Sequence, residues 1–196
     1  IVAFLAKDAD MVARFSGGNN AGHTVMNPLG TFKLHLVPAG IFPPHAMCLI
    51  GNGVVVDPDA PLEEITGLEQ RGIELAGRLV VSGRSHLVMP YHVILDDLAE
   101  AARGEQAIGT TGKGIGPAYT DKAARSGIRA ADLLDLEALL EEFERSTTLL
   151  RRMRQMISQM GELGVPRVQL DELEALCNRP EALPHIADNL HRTIQT

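Results

Sequence analysis

Short β-rich runs alternate with turns and helical stretches over residues 1–100, and this alternation restricts the possible folds more than any other feature of the chain. Strands are predicted at 11–15, 32–36, 47–50, 54–56, 79–82 and 86–89, where apolar residues alternate with polar ones or form short runs. Helices are predicted after Asp57 and Pro58, ending at Gly72, and again from Pro90 onward. Strands that alternate with helices favour an α/β fold with a mostly parallel central sheet and flanking helices.

From Asp132 onward the apolar residues follow a helical pattern, in place of the alternating strands and helices before it. Leucines then recur at helical spacing, and leucine, isoleucine and methionine do so between 149 and 160. We interpret the methionines as helix core, because methionine fills irregular packing gaps. A chain of 196 residues has the length of one large domain or two small ones. We therefore predict an α/β part at 1–131 and a helical C-terminal subregion of the same domain at 132–196.

Composition excludes several classes of protein. There are 18 basic and 25 acidic residues, which argues against a nucleic-acid-binding surface, since phosphate contacts need clustered Lys and Arg. Apolar runs are short and broken by glycine or charge, so no membrane span is predicted. The two cysteines lie far apart without a CxxC pattern, which argues against a disulfide framework and a cysteine-based zinc site. The expected location is therefore the reducing cytoplasm.

A loop rich in glycine and asparagine follows the first predicted strand, at residues 16–24. Ligands of parallel α/β sheets bind at the carboxyl ends of the strands. The Asn20 amide can hydrogen-bond a base or a phosphate, and His23 can donate a proton or a hydrogen bond to a developing negative charge. A turn-rich connection with a solvated histidine remains the alternative.

A second glycine-rich segment lies at 108–117 and continues into a basic stretch that ends at Arg129. Its glycines allow close backbone approach, and Thr110, Thr111 and Lys113 suit a phosphate. Residues 108–129 hold four basic side chains and one acidic side chain within an acidic protein, which predicts a local anion site. The segment is not a Walker P-loop, because Lys113 lacks the following Ser or Thr and the GxxxxG spacing. An ordinary surface loop with solvated charges is the alternative.

The other histidines receive structural interpretations. His35 lies on an alternating strand, and Tyr91 and His92 open a helix where we expect them to pack. His185 and His191 are six residues apart, which is not the spacing that places two metal ligands on one helix face. No metal site built from side chains is predicted.

These two glycine-rich segments, in this order and about ninety residues apart, resemble those of the adenylosuccinate synthetase family. The matching stretches are 17–24, 33–41, 50–55, 90–93 and 108–129, which cover the first two-thirds of the chain in register. Segment 108–129 is close to a family signature, whereas the region after 132 matches only in character. The resemblance implies an α/β fold of the P-loop NTPase type, with residues 1–131 as its nucleotide-binding part.

The resemblance also implies an activity. The family joins IMP to L-aspartate, with GTP as co-substrate and Mg²⁺ as cofactor, to make adenylosuccinate. A GTP phosphate is first transferred to the 6-oxygen of IMP, and aspartate then displaces it. Phosphate is the better leaving group, and positioning and electrostatics dominate such a transfer. No nucleic-acid or membrane partner is implied.

Roles in IMP binding and catalysis carry over by position. His23 matches the catalytic histidine, which acts as an acid at the oxygen being phosphorylated. Asn20, Ala21, Gly22 and His23 match the IMP-binding run. Thr111 matches a contact to the IMP phosphate.

Roles in GTP, metal and subunit contacts carry over in the same way. Gly22, His23 and Thr24 match a GTP-contacting run, and the Gly22 carbonyl matches a Mg²⁺ ligand. Arg125 matches an arginine that reaches the IMP of the neighbouring subunit. A homodimer with shared sites is therefore implied.

Some family features fall outside this chain. The family's phosphate loop, which carries the catalytic base and a phosphate-binding lysine, would precede Ile1, where the sequence pattern indicates a helix already under way. The chain is thus expected to be the N-terminal half of a longer protein and inactive alone. Ala3 replaces a frequent Asp, and Lys113 replaces a frequent Arg, which keeps the charge but loses the planar fork. A non-catalytic nucleotide-binding module and a nucleotide kinase remain alternatives.

Overall fold

The structure is a computed structural model that describes residues 1–134. Its helices and strands, in chain order, are α1 (Val2–Leu5), β1 (Met11–Arg14), β2 (His23–Asn27), β3 (Gly30–Leu34), β4 (Met47–Ile50), β5 (Val55–Val56), α2 (Asp59–Glu69), β6 (Leu79–Val81), β7 (His86–Leu87), α3 (Pro90–Arg103) and α4 (Ile115–Ala124). Short 3₁₀ turns occupy Ala6–Asp8, Ala39–Ile41, Gly104–Gln106 and Ala130–Leu134. Most of the predicted helical subregion at 132–196 lies outside the described residues.

A parallel sheet forms the centre of the described chain, with the strand order β1-β4-β6. Val12 pairs with Cys48, and Cys48 pairs in turn with Leu79. Both Cys48 and Ile50 are fully buried, as expected of a short apolar strand in the middle of a covered sheet. The pair β5-β7 adds a second parallel contact. The predicted α/β fold with a mostly parallel sheet is thus confirmed.

An antiparallel hairpin, β2-β3, interrupts this pattern. Asn27 pairs with Gly30 at its turn, and Gly30 has a φ of 122°, a region that favours glycine. The sequence analysis places residues 16–24 in a loop and a strand at 32–36, so it misses β2. Of the β2 residues, Val25 alone is buried, which leaves the strand with too weak an apolar pattern to be recognised.

Helix α2 begins much as predicted and covers the sheet. The Asp57 carboxylate accepts the backbone N–H of Asp59 at 3.1 Å, and Pro61, Ile65 and Leu68 turn inward. Burying such a face supplies most of the stability of a short helix. The largest fully buried apolar side chains of the core include Leu36, Ile41, Ile50, Leu68, Leu75, Leu87 and Ile128.

Helices α3 and α4 pack against each other behind the second glycine-rich segment. Buried His92 accepts the Met89 N–H at 2.9 Å through Nδ1 and lies 2.9 Å from Asp121 through Nε2. The predicted packing of Tyr91 and His92 is therefore confirmed. Helix α4 was not predicted, although Pro117 lies in its first turn, where a missing N–H costs nothing. Within the described residues, no helix is long and apolar enough to cross a membrane.

Candidate functional site

The first glycine-rich loop lies at the carboxyl end of β1, where the sequence analysis expected it. The turn at Gly51–Gly53 follows β4 at the same edge of the sheet. A Cβ atom at Gly53 would collide with the carbonyl oxygen of Phe15, so the two connections touch through backbone alone. Ligand sites of parallel α/β sheets form at such an edge.

A groove of about 1220 Å³ opens between α1, β1 and the hairpin. Its walls include Arg14, Ala21, Gly22, His23, Thr24 and Phe42. The volume exceeds the usual range for small-molecule sites, so a nucleotide fits within it. Four of the predicted site residues, Ala21 to Thr24, are thus brought together in one groove.

His23 is half-buried at the start of β2, and its Nε2 atom is buried without a hydrogen-bond partner among the described residues. Burial lowers the pKa of His23, as do the positive charges of Arg14 and His35, while Glu64 opposes them. The neutral ring is therefore the favoured form at neutral pH. Because buried polar atoms are nearly always paired, this nitrogen is a candidate contact for a bound ligand.

Arg14, the last residue of β1, binds backbone carbonyl groups in and near the first glycine-rich loop. Its guanidinium donates to the carbonyl oxygens of His35 and Gly18, the latter at 2.6 Å. Burial lowers the pKa of Arg14, and the Glu64 carboxylate opposes that shift. This residue was not predicted from the sequence, although an arginine at the end of a strand before a glycine-rich loop is a usable signal.

The Glu64 carboxylate of α2 ties down the chain after β3. It accepts three successive backbone N–H groups, from His35 at 2.7 Å, Leu36 at 3.0 Å and Val37 at 2.9 Å. A Cβ atom at Gly22 would lie 2.8 Å from His35 Nε2, so the hairpin packs closely on the loop. Glu64 therefore fixes the chain immediately before Pro38 and Ala39, which line the groove, and it was not predicted from the sequence.

Two asparagines in the loop have different surroundings. Asn20, the predicted ligand contact, is exposed and is not among the residues that line the groove. Its neighbour Asn19 is buried and donates to Asp57 Oδ2 at 2.6 Å, while Asn19 Oδ1 has no partner among the described residues. Asn19 is therefore a further candidate for ligand contact.

The second glycine-rich segment is held by acidic side chains of α3. Glu100 accepts the N–H groups of Ile108, Gly109 and Thr110, and Asp96 accepts that of Gly114 at 3.1 Å. Although desolvation opposes the shift, these backbone bonds and that from Arg103 lower the pKa of Glu100. The loop backbone is thereby held in place by internal carboxylates.

The predicted anion contacts of this segment face solvent. Thr111, Lys113 and Arg125 are exposed, and the structure does not bring them into the groove with His23. Arg125 ends α4 with a φ of 59° and is the one non-glycine residue of the described part in the left-handed region. Such a conformation at a helix end directs the chain sharply away from the helix.

Within residues 1–134, no group of three or more His, Cys, Asp or Glu side chains could hold a metal ion. Gly22 is exposed at the groove, and its carbonyl oxygen is a hard donor of the type that Mg²⁺ accepts. The residues present therefore fit a cation that takes one backbone ligand here.

Comparisons with known proteins agree with one another. The family model of adenylosuccinate synthetase matches residues 1–195. The adenylosuccinate synthetase of Dehalococcoides mccartyi is 46% identical over 193 residues, which are 97% of this chain and 44% of that protein. That of Bacillus cereus is 45% identical over 201 residues, covering 99% of this chain and 47% of the relative.

A solved structure gives the same result for the fold. The fully ligated adenylosuccinate synthetase of Plasmodium falciparum superposes with a TM-score of 0.67 and 28% sequence identity. The match covers 98% of this chain and 40% of that one. The chain spans about half the length of the curated relatives it matches.

Proposed function

The chain belongs to the adenylosuccinate synthetase family, and on that premise we propose that the complete protein joins IMP to L-aspartate at the expense of GTP. The product is adenylosuccinate. The observation that carries this proposal is the groove in which His23, whose buried Nε2 atom has no partner among the described residues, lies beside the exposed residues Ala21 and Gly22. The family match over residues 1–195 supports this ligase over a nucleotide kinase or a non-catalytic nucleotide-binding module.

We propose that His23 acts on the oxygen that receives the phosphoryl group. The reaction transfers a phosphoryl group from GTP to the 6-oxygen of IMP, after which the amino nitrogen of aspartate displaces phosphate. Charge develops on the oxygens during transfer, so a fixed N–H donor lowers the barrier. The lowered pKa of His23 favours the neutral ring, and the negative charge of bound phosphates would raise that pKa, so that the ring could then serve as the acid.

The substrate contacts are proposed by position in the family. Asn20, Ala21, Gly22 and His23 would bind IMP, with Thr111 on its phosphate. The exposure of the first three residues and of Thr111 leaves them available to a ligand.

The nucleotide and subunit contacts complete the proposal. Gly22, His23 and Thr24 would contact GTP, and all three line the groove. Arg125 would serve the IMP site of a partner subunit in a homodimer, which agrees with its exposure away from the groove.

A Mg²⁺ ion would take the Gly22 carbonyl as one ligand. When bound, such an ion neutralises charge on nucleotide phosphates. The loop geometry that presents this carbonyl depends on Arg14, which holds Gly18 at 2.6 Å. The cytoplasm is the proposed location, since Cys48 is a buried free thiol and thiols persist in reducing compartments.

The test is turnover by the full-length protein. We expect adenylosuccinate, detected by chromatography, when IMP, L-aspartate, GTP and Mg²⁺ are all present. Omission of aspartate should abolish product. Turnover with ATP but not GTP would contradict the nucleotide assignment, and phosphorylated product formed without any dependence on aspartate would favour a kinase.

A further inference from the structure

Helix α4 presses two side chains, one helical turn apart, against the first glycine-rich loop. Ile115 and Tyr119 are four residues apart and so share a face of the helix. A Cβ atom at Gly18 would lie 2.5 Å from Ile115 Cδ1, which shows how closely the helix approaches the loop. The Tyr119 hydroxyl accepts the Gly17 N–H at 2.7 Å and donates to the Gly53 carbonyl at 2.7 Å.

The Tyr119 hydroxyl connects three segments, which are helix α4, the first glycine-rich loop and the turn at Gly51–Gly53. Tyr119 is half-buried, and its hydroxyl uses its one proton on Gly53 while a lone pair receives Gly17. The Gly17 carbonyl in turn accepts the Val55 N–H at 2.9 Å. Gly17 has a φ of 84°, a region open to glycine, and these bonds hold its backbone in that conformation. Removing the hydroxyl would therefore release a specific backbone conformation rather than a patch of core.

The same helix begins where the second glycine-rich segment ends. Gly114 is the N-cap of α4, and a Cβ atom there would lie 2.7 Å from the His92 backbone. The segment that carries Thr111 and the loop that leads to His23 are consequently both fixed to α4. A ligand that contacts both segments needs their separation to be constant, because small misplacements of contacting groups are costly.

We propose that Tyr119 is a positioning residue, whose hydroxyl sets the placement of the Gly17–Thr24 loop relative to the second glycine-rich segment. The inference rests on the proposed function, because it is IMP that would span the two. The Tyr119 hydroxyl contacts the loop through its backbone, at the Gly17 N–H, and contacts the neighbouring turn at the Gly53 carbonyl.

The chain supplies a matched control in its other tyrosine. The Tyr91 hydroxyl also binds α4, through Asp121 Oδ2 at 2.8 Å, and burial raises the pKa of this phenol. That bond joins α4 to α3 and does not reach the loop. A hydrogen bond that a hydroxyl donates to a carboxylate is stronger than one that it donates to a carbonyl. Tyr119→Phe removes two neutral hydrogen bonds and Tyr91→Phe removes one to a carboxylate, so the two substitutions should cost similar stability.

The experiment compares Tyr119→Phe and Tyr91→Phe in the full-length protein by three measurements: the KM for IMP, the amide exchange rate of Gly17, and the thermal midpoint. Tyr119→Phe removes two hydrogen bonds, of which the one from the Gly17 N–H holds the loop, so it should raise the KM for IMP by about threefold to tenfold and accelerate exchange at Gly17. Tyr91→Phe should leave the KM within about twofold and Gly17 exchange unchanged, although its midpoint falls about as far.

Two results would overturn the proposal: a KM that follows the thermal midpoint in both variants, or Gly17 exchange that Tyr119→Phe does not change. If the wild-type protein neither turns over nor binds IMP in calorimetry, the proposed function fails and the positioning of IMP fails with it. Gly17 exchange still reports whether the hydroxyl holds the loop, so the two failures are told apart.

Discussion

At the scale of single residues, His23 differs from the other described histidines in having a buried Nε2 atom without a hydrogen-bond partner. By contrast, both ring nitrogens of His92 are engaged, one by a backbone N–H and one by Asp121. An unsatisfied buried nitrogen costs stability, and such a cost is expected where a ligand completes the bond. The geometry thus gives His92 a structural role and leaves His23 as the candidate for a ligand contact.

Substitution of His23 tests whether the ring acts as an acid or only as a hydrogen-bond donor. We expect both His23→Asn and His23→Gln to lower kcat by about 10²–10⁴-fold while the affinity for IMP changes little, because an acid acts in the transition state. Glutamine can place an amide N–H near the position of Nε2 but cannot release a proton. Steady-state kinetics and IMP titration of the full-length variants provide the measurements, and near-normal kcat in His23→Gln would contradict the acid role.

At the scale of helices and strands, apolar pattern and turn residues carried the prediction where burial was strong. The strand at 47–50 and the helix that opens at Pro90 have the predicted starts because their residues are buried in regular patterns. The hairpin strand β2 was missed because a single residue of it, Val25, is buried.

The candidate site was predicted only in part, because only residues that are neighbours in sequence form a recognisable local motif. Ala21 to Thr24 are contiguous, so a local motif finds them. Arg14, Asn19 and Glu64 act through partners distant in sequence, such as Glu64 with residues 35–37, and no local pattern encodes such a contact. The roles of these three residues can be recognised only from the three-dimensional structure.

Glu64 of α2 provides a test at this scale. Glu64→Gln leaves an amide that cannot accept all three N–H groups of 35–37, so buried donors lose their partner. We expect the free energy of unfolding to fall by about 1–3 kcal/mol, measured by urea denaturation at neutral pH. The adjacent Glu63 is exposed, and Glu63→Gln should change the stability by less than about 0.5 kcal/mol. Equal losses in both variants would show that only helix charge matters.

At the scale of the whole molecule, the exposure of Arg125 outside the groove bears on the proposed homodimer. Arg125 ends α4 in a left-handed conformation, which asparagine tolerates better than most residues. Arg125→Asn therefore removes the positive charge with little backbone strain. If Arg125 serves a partner's site, a variant defective there should complement one defective at His23.

Mixing of the full-length variants His23→Asn and Arg125→Asn should restore activity. After subunit exchange at equal amounts, half of the dimers are hybrids with one intact site, so about one quarter of wild-type turnover is expected. A mixture of His23→Asn with Thr111→Val serves as the control, because both residues are proposed to act in their own subunit's site. Activity that remains additive despite confirmed subunit exchange would place the action of Arg125 within its own subunit.

The spatial order of the central sheet, β1-β4-β6, is also the order in which those strands are synthesised. Each new strand can join the free edge that its predecessor left, and none has to be inserted between two strands already paired. Residues 128–130 then close the assembly, since the Leu87 N–H donates to Ile128 and the Ala130 N–H donates to Ser85. Among the described strands, a nascent chain can thus add β1, β4 and β6 in turn from one side outward, and the segment that follows α4 then joins β7 of the separate β5-β7 pair.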